Sequence, residues 1–255
     1  MKKTWFFITF LCFLFLVSLI VFSCSTTKKE EISSADDLFA LAKKEYEKKK
    51  YEEAEKYFDL LKLQYPASRY ADDAQYYLGL ISFDKGDYIM AAFHFSSLRR
   101  AYPNSEYCKE ALFKTALSYY NLSPSFDRDQ EYTSKAIDYF MEFQNTYPGD
   151  SLSVIANNYL KELRNKLAYR YFFTAMLYYK WGSPKSALIY LDVVIEDYPD
   201  SDYAEDAMWL KINIYREKGL FLDLEEIAKE YQNKFPNGKY SEQIKSFVKI
   251  KRGER

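Results

Sequence analysis

Residues Leu167–Tyr203 read LAYRYFFTAMLYYKWGSPKSALIYLDVVIEDYPDSDY, and this stretch decides the fold. Its apolar residues recur at three- and four-residue steps, pause at Gly182-Ser183-Pro184, resume from Ala187 to Ile195 and stop at Tyr198-Pro199. That is a helix, a tight turn, a second helix, and a proline at which helix cannot continue. The closing Tyr-Pro returns as Tyr65-Pro66, Tyr102-Pro103 and Tyr147-Pro148, with Phe235-Pro236 as a variant. Four of the five copies carry an aromatic four residues past the proline: Tyr70, Tyr107, Tyr203 and Tyr240. A helical hairpin repeated at this spacing predicts an all-α solenoid, with its core between neighbouring units.

Composition agrees. Aromatics make up 19% of the chain while Gly and Pro number only seven each, too little turn chemistry for an all-β protein. Net charge is −1, and −3 without Lys2 and Lys3, so no basic field points to nucleic acid. Of three cysteines, Cys12 and Cys24 lie in or beside an apolar leader and Cys108 stands alone in the body. Neither a disulfide framework nor a zinc site can be built from one cysteine and the single histidine, His94.

Lys2-Lys3 followed by the apolar run Trp5–Phe22 has the layout of a secretory leader. Val21-Phe22-Ser23-Cys24 resembles a bacterial lipobox, which implies cleavage and a lipidated Cys24. The competing reading is an uncleaved signal anchor, since 18 apolar residues reach the lower limit of a spanning helix. The polar tether that follows, residues 24–34, favours the lipoprotein. Either way the body is expected outside the cytoplasm.

With Pro103 as the last position of a 34-residue unit, Leu78-Gly79, Gly86, Tyr88, Ala91 and Phe95 take the positions that define the repeat. The pattern resembles the tetratricopeptide repeat. Gly79 and Ala91 let two helices approach, Gly86 makes the turn and Phe95 fills the space between them. Proline spacings of 37, 45, 51 and 37 show two enlarged units. The third gains a polar loop at Leu122–Tyr132. The fourth has no Gly or Pro from Ser151 to Trp181 and predicts one helix of about 45 Å at 1.5 Å per residue. Units are expected at about 35–68, 69–105, 106–150, 151–201 and 202–238, with a capping helix at 240–251.

Leader, tether and five such units resemble the BamD-type (YfiO) outer-membrane assembly lipoproteins. The residues that carry the likeness are Asp127-Arg128-Asp129, Lys166-Leu167-Ala168, Tyr178-Tyr179 with Gly182, and Tyr198-Pro199-Asp200-Ser201. The resemblance implies a lipid-anchored scaffold at the outer membrane that faces the periplasm. Its implied partners are a BamA-like barrel protein, docked on the C-terminal repeats, and unfolded β-barrel substrates, bound by the N-terminal ones. No cofactor or metal is implied.

No glycine-rich phosphate loop, nucleophile elbow or HExxH occurs, so an enzyme is not expected. Asp127, Arg128 and Asp129 are expected to pin their loop through an Arg–carboxylate pair or to cap the following helix. Repeat positions 5, 9 and 12 of the first helices offer an aromatic row for a peptide groove: Phe39 and Tyr46; Tyr76, Leu80 and Phe83; Phe113, Leu117 and Tyr120. Phe172 and Tyr179 continue it where partner docking is expected. The bland alternative is that these rings pack between units. For function, the alternative is an adaptor that organises envelope or cell-wall proteins without inserting barrels.

Overall fold

The computed structural model describes residues 34–251, with side chains as far as Phe247. The leader, Cys24 and most of the tether lie outside the described residues. Among those residues every regular element is a helix: α1 (Ala35–Glu47), α2 (Tyr51–Gln64), α3 (Ala71–Asp84), α4 (Tyr88–Ala101), α5 (Cys108–Leu122), α6 (Glu131–Thr146), α7 (Ser151–Lys180), α8 (Pro184–Asp197), α9 (Ala204–Glu217), α10 (Phe221–Lys234) and α11 (Ser241–Lys251). They pair as hairpins in chain order and stack as a tetratricopeptide-type solenoid. Four separate hydrophobic clusters run along it, each bridging neighbouring helices, rather than one central core.

Two turns, repeated along the chain, set the stacking. Between hairpins, Tyr65, Tyr102, Tyr147, Tyr198 and Phe235 end their helices with φ near −130°, and each backbone N–H still reaches the carbonyl four residues back. The following proline cannot donate, and the chain leaves the helix. The amide three residues past each aromatic returns to the aromatic's own carbonyl at 3.0–3.1 Å. The third copy, Tyr147-Pro148-Gly149-Asp150, makes the same turn although no aromatic follows it.

Within hairpins, Gly86, Gly182 and Gly219 take φ of 78°, 74° and 68°, the left-handed conformation that closes a Schellman-type helix end. In the first hairpin Lys49 adopts it with φ 59°, and the same pair of backbone bonds forms from Lys49 and Lys50.

Helix contact follows the expected chemistry. A Cβ on Gly79 would lie 2.6 Å from the Phe95 ring, so α3 and α4 approach as closely as they do only because no side chain stands there. The long helix α7 spans 30 residues, as its uninterrupted pattern predicts. Its first half packs on α5 and α6, where Tyr159 stacks on Phe140 at 5.2 Å, and its second half packs on α8. His94 is half-buried beside Gln75, whose Nε2 donates to His94 O at 2.9 Å and lies 3.1 Å from Nδ1. Burial, and then the Lys62 charge, pull the imidazole pKa down. His94 is a packed structural residue.

Candidate functional site

The first helices of the five hairpins are α1, α3, α5, α7 and α9, the helices that line the inner face in a tetratricopeptide-type solenoid. Their aromatic row divides into three layers with different fates.

The first layer holds Phe39, Tyr76, Phe113, Phe172 and Trp209, of which Tyr76 and Phe113 are buried and the other three half-buried. In four cases the ring is covered by the tyrosine 31 residues later, the one four past the proline. Phe39 stacks on Tyr70 at 4.4 Å, Tyr76 on Tyr107 at 4.3 Å, Phe172 on Tyr203 at 6.0 Å and Trp209 on Tyr240 at 4.5 Å. Three of the covering hydroxyls then donate to an aspartate on the same preceding helix. Tyr70 reaches Asp36 at 2.7 Å, Tyr107 reaches Asp73 at 2.8 Å and Tyr240 reaches Asp206 at 2.5 Å. Each tyrosine is thus a clamp between consecutive units, and this is the physical role of the repeated aromatic.

The groove expectation is therefore corrected for Tyr76 and Phe113, each only 6% exposed. Tyr76 sits among Tyr107, Phe95 and Tyr77, and Phe113 is packed edge-on to Phe140 and Phe143. Burial, followed by the hydrogen bond to Glu110, raises the Tyr76 phenol pKa. These two rings are core.

A second layer carries Tyr46, Phe83, Tyr120 and Tyr179, all half-buried. Here the hydroxyls reach forward to an acid on the next first helix. Tyr46 donates to Asp84 at 3.1 Å, Tyr120 to Glu162 at 2.8 Å and Tyr179 to Glu217 at 2.8 Å. Phe83 instead lies under the Lys114 ammonium at 5.0 Å. Burial and the Glu162 carboxylate push the Tyr120 pKa up to about 12. Between the two layers stand Leu80, Leu117 and Met176, which have no hydroxyl and keep apolar surface turned to solvent. They are the floor of the inner face.

Asp127, Arg128 and Asp129 lie in the loop between α5 and α6, and all three are exposed. Asp129 accepts from the Glu131 amide at 2.9 Å and so does help start α6, while Asp127 accepts from Ser125 Oγ at 2.5 Å. The guanidinium that fastens the loop, however, is Arg170 on α7. Its Nη1 donates to Phe126 O at 2.7 Å and to Arg128 O at 2.5 Å. The expected pin by Arg128 is corrected to a pin by Arg170, which grips main-chain carbonyls rather than a carboxylate. Lys166 Nζ adds a bond to Ser123 Oγ at 2.8 Å, and Phe126 packs edge-on to Tyr169 and Phe173 at 4.6 and 5.3 Å.

The C-terminal hairpins carry an exposed apolar surface that the sequence pattern did not single out. A cavity of about 460 Å³ opens between the turns of the fourth and fifth hairpins, lined by Pro184, Leu188, Ile214 and Leu220 with Lys185 and Lys218 beside them. Trp181, Ile189, Phe221 and Leu222 are exposed on these same two hairpins. Large side chains spaced for a helix read equally well as core, so only tertiary placement distinguishes them. Among the described residues there is no group of metal-binding side chains, and no helix is long and apolar enough to cross a membrane.

A relative from Rickettsia prowazekii (strain Madrid E), outer membrane protein assembly factor BamD, is 22% identical over 198 residues, covering 76% of this chain and 77% of its own. Solved structures with similar helix arrangement include the TPR2AB domain of yeast Sti1 in complex with pHSP90, with TM-score 0.46, 14% identity and 85% and 83% of the two chains covered. A tetratricopeptide repeat protein from Parabacteroides merdae has TM-score 0.38 and 14% identity, with 86% and 74% covered. The family described as YfiO, outer membrane lipoprotein, matches residues 32–233, a span that runs through the α5–α6 loop and the long helix into the last turn of α10. This chain belongs to the YfiO outer membrane lipoprotein family.

Proposed function

We propose that this protein is a lipid-anchored, periplasm-facing scaffold of outer-membrane β-barrel assembly, which binds unfolded barrel substrates on its inner face and a BamA-like barrel protein on its C-terminal hairpins. Membership of the family and the likeness to a BamD support the general role. The observation that carries the substrate reading is the row Leu80, Phe83, Leu117 and Tyr120, which keeps solvent-facing apolar surface along two consecutive first helices after the deeper rings have been buried. An extended strand with alternating apolar side chains fits such a row, because its side chains on one face repeat every second residue. The second observation is the apolar cavity and the exposed Trp181, Ile189, Phe221 and Leu222 at the other end, suited to a folded partner. Nothing in either surface offers a nucleophile with a base, so binding is the whole of the activity proposed.

The test uses two double variants of the full chain. Leu80→Arg with Leu117→Arg should weaken binding of a phenylalanine-ended strand peptide at least tenfold while capture of the barrel partner survives. Ile189→Asp with Leu222→Asp should do the reverse. An adaptor unconnected with barrels would retain neither barrel partner nor strand peptide even as wild type. Unchanged peptide binding in a folded Leu80→Arg, Leu117→Arg protein would remove the inner face as the substrate site.

A further inference from the structure

The inner face is not equally open along its length. Tyr169, Phe173 and Met176 share one face of α7, spaced four and three residues apart, and Met176 is the counterpart of Leu80 and Leu117. On that face, one and two turns before Met176, lies the strap between α5 and α6. Its Phe126 ring is seated on Tyr169 and Phe173 at 4.6 and 5.3 Å, both contacts edge-on. Its main chain makes a turn there, closed by the Arg128 amide on the Ser125 carbonyl at 3.1 Å, and turns the carbonyls of Phe126 and Arg128 to Arg170 Nη1.

Arg170 itself breaks the repeat. The corresponding positions of α3, α5 and α9 are Ala74, Ala111 and Ala207, all fully buried. Here a guanidinium stands in place of a packed methyl and reaches main-chain acceptors on the loop of the third hairpin. Phe126 comes from the loop inside a hairpin, and on Tyr169 it is joined by Tyr203 from the turn between hairpins, at 5.1 Å.

We propose that Tyr169, Arg170 and Phe173 form a second peptide site, specific for a segment that presents an aromatic side chain beside two main-chain carbonyls, and that Phe126 is its resident occupant. The strap then acts as a built-in competitor, displaced when a segment of higher affinity arrives. The proposal rests on the reading of this protein as a binder of extended barrel strands. It places a further subsite on the half of the molecule where only partner docking was expected. Ring pairs at Phe126 and charge-assisted bonds from Arg170 and Lys166 hold the strap, and the ring and carbonyl contacts are ones that another aromatic-bearing segment can reproduce.

The probe is a labelled octapeptide with the sequence of residues 123–130, titrated against the full chain in detergent by fluorescence anisotropy. Phe126→Ala should bind it at least tenfold more tightly than wild type, because the resident ring is gone. Replacing the octapeptide's phenylalanine by alanine, or adding Arg170→Met to the protein, should abolish that gain. A phenylalanine-ended strand peptide should displace the octapeptide, and its alanine-ended twin should not. As a readout that needs no variant to fold, saturating strand peptide should speed amide exchange at residues 125–129 of the wild-type chain.

Equal octapeptide binding by wild type and Phe126→Ala, with no change in exchange, overturns the site. Octapeptide binding that the strand peptide cannot displace overturns it too, since the strap would then be only a brace for α7. In that case strand-peptide binding that still depends on Leu80 and Leu117 leaves the proposed function standing. Loss of both dependences removes the proposed function as well.

Discussion

Gly79 and Lys49 are two residues at which the backbone, not the side chain, carries the requirement. At Gly79 the constraint is space, because the Phe95 ring occupies the place of a Cβ, with three ring atoms within 2.9 Å of it. Phe95 is fully buried and has nowhere to retreat. Gly79→Ala should therefore destabilise the protein by about 1–3 kcal/mol from overpacking, less up to about 1 kcal/mol regained from helix propensity. Urea denaturation is the measurement, and a stabilised variant would mean that α3 and α4 can part at no cost. At Lys49 the constraint is conformation: a left-handed φ of 59° closes the first hairpin as glycines close the second, fourth and fifth. The tyrosines are legible at this scale only in part. Their spacing from the prolines was plain, whereas their role as covers for rings 31 residues earlier needs the neighbouring unit in place.

The element with the clearest mechanical role is α7. Its length follows from what is missing, since no Gly or Pro interrupts Ser151–Lys180. Its position follows from burial on two sides, with Leu163 and Ala168 fully enclosed and different clusters around its two halves. Ala168→Pro removes one backbone bond and drives the pyrrolidine ring into the preceding turn. It should cost about 3 kcal/mol or more and uncouple the third hairpin from the fourth. A thermal melt by circular dichroism should show a lowered or split transition, and an unchanged one would refute the single rigid helix. The same helix carries Arg170, Tyr169 and Phe173, so its rigidity also holds the strap in register with the rest of the inner face.

For the whole molecule, the decisive quantity is where the solenoid would be tethered by the lipid proposed on Cys24. Helix α1 begins immediately after Ser34, whose hydroxyl accepts from the Asp37 amide at 3.1 Å as an N-cap. Nine residues lie between that cap and Cys24. A fully extended link of that length reaches at most about 36 Å, so a lipid on Cys24 would keep the first hairpin near the membrane surface. Cys24→Ala should abolish incorporation of labelled palmitate and release the body from the membrane fraction. Labelling and fractionation unchanged by the substitution would instead favour an uncleaved apolar anchor. Charge adds little at this scale: with a net of −1 the chain has no long-range field to draw it to an anionic surface.

What the sequence determined by itself was the hairpin, its repetition and its exceptions. Tyr-Pro punctuation, the glycines of the tight turns, the Gly79–Phe95 pairing and the uninterrupted α7 are local rules that read the same in any context. The division of the aromatic row was decided only by tertiary structure. Tyr76 and Leu80 are four residues apart on one helix, yet Tyr107 from the next unit covers the first and leaves part of the second open. Periodicity gives the face of a helix and not the depth of cover on that face, which is set by a neighbour arriving from 31 residues away. The strap shows the same limit. Asp127-Arg128-Asp129 drew attention as a charge cluster, but Phe126 and Arg170 do the fastening, and only folding brings those two residues, 44 positions apart, into contact.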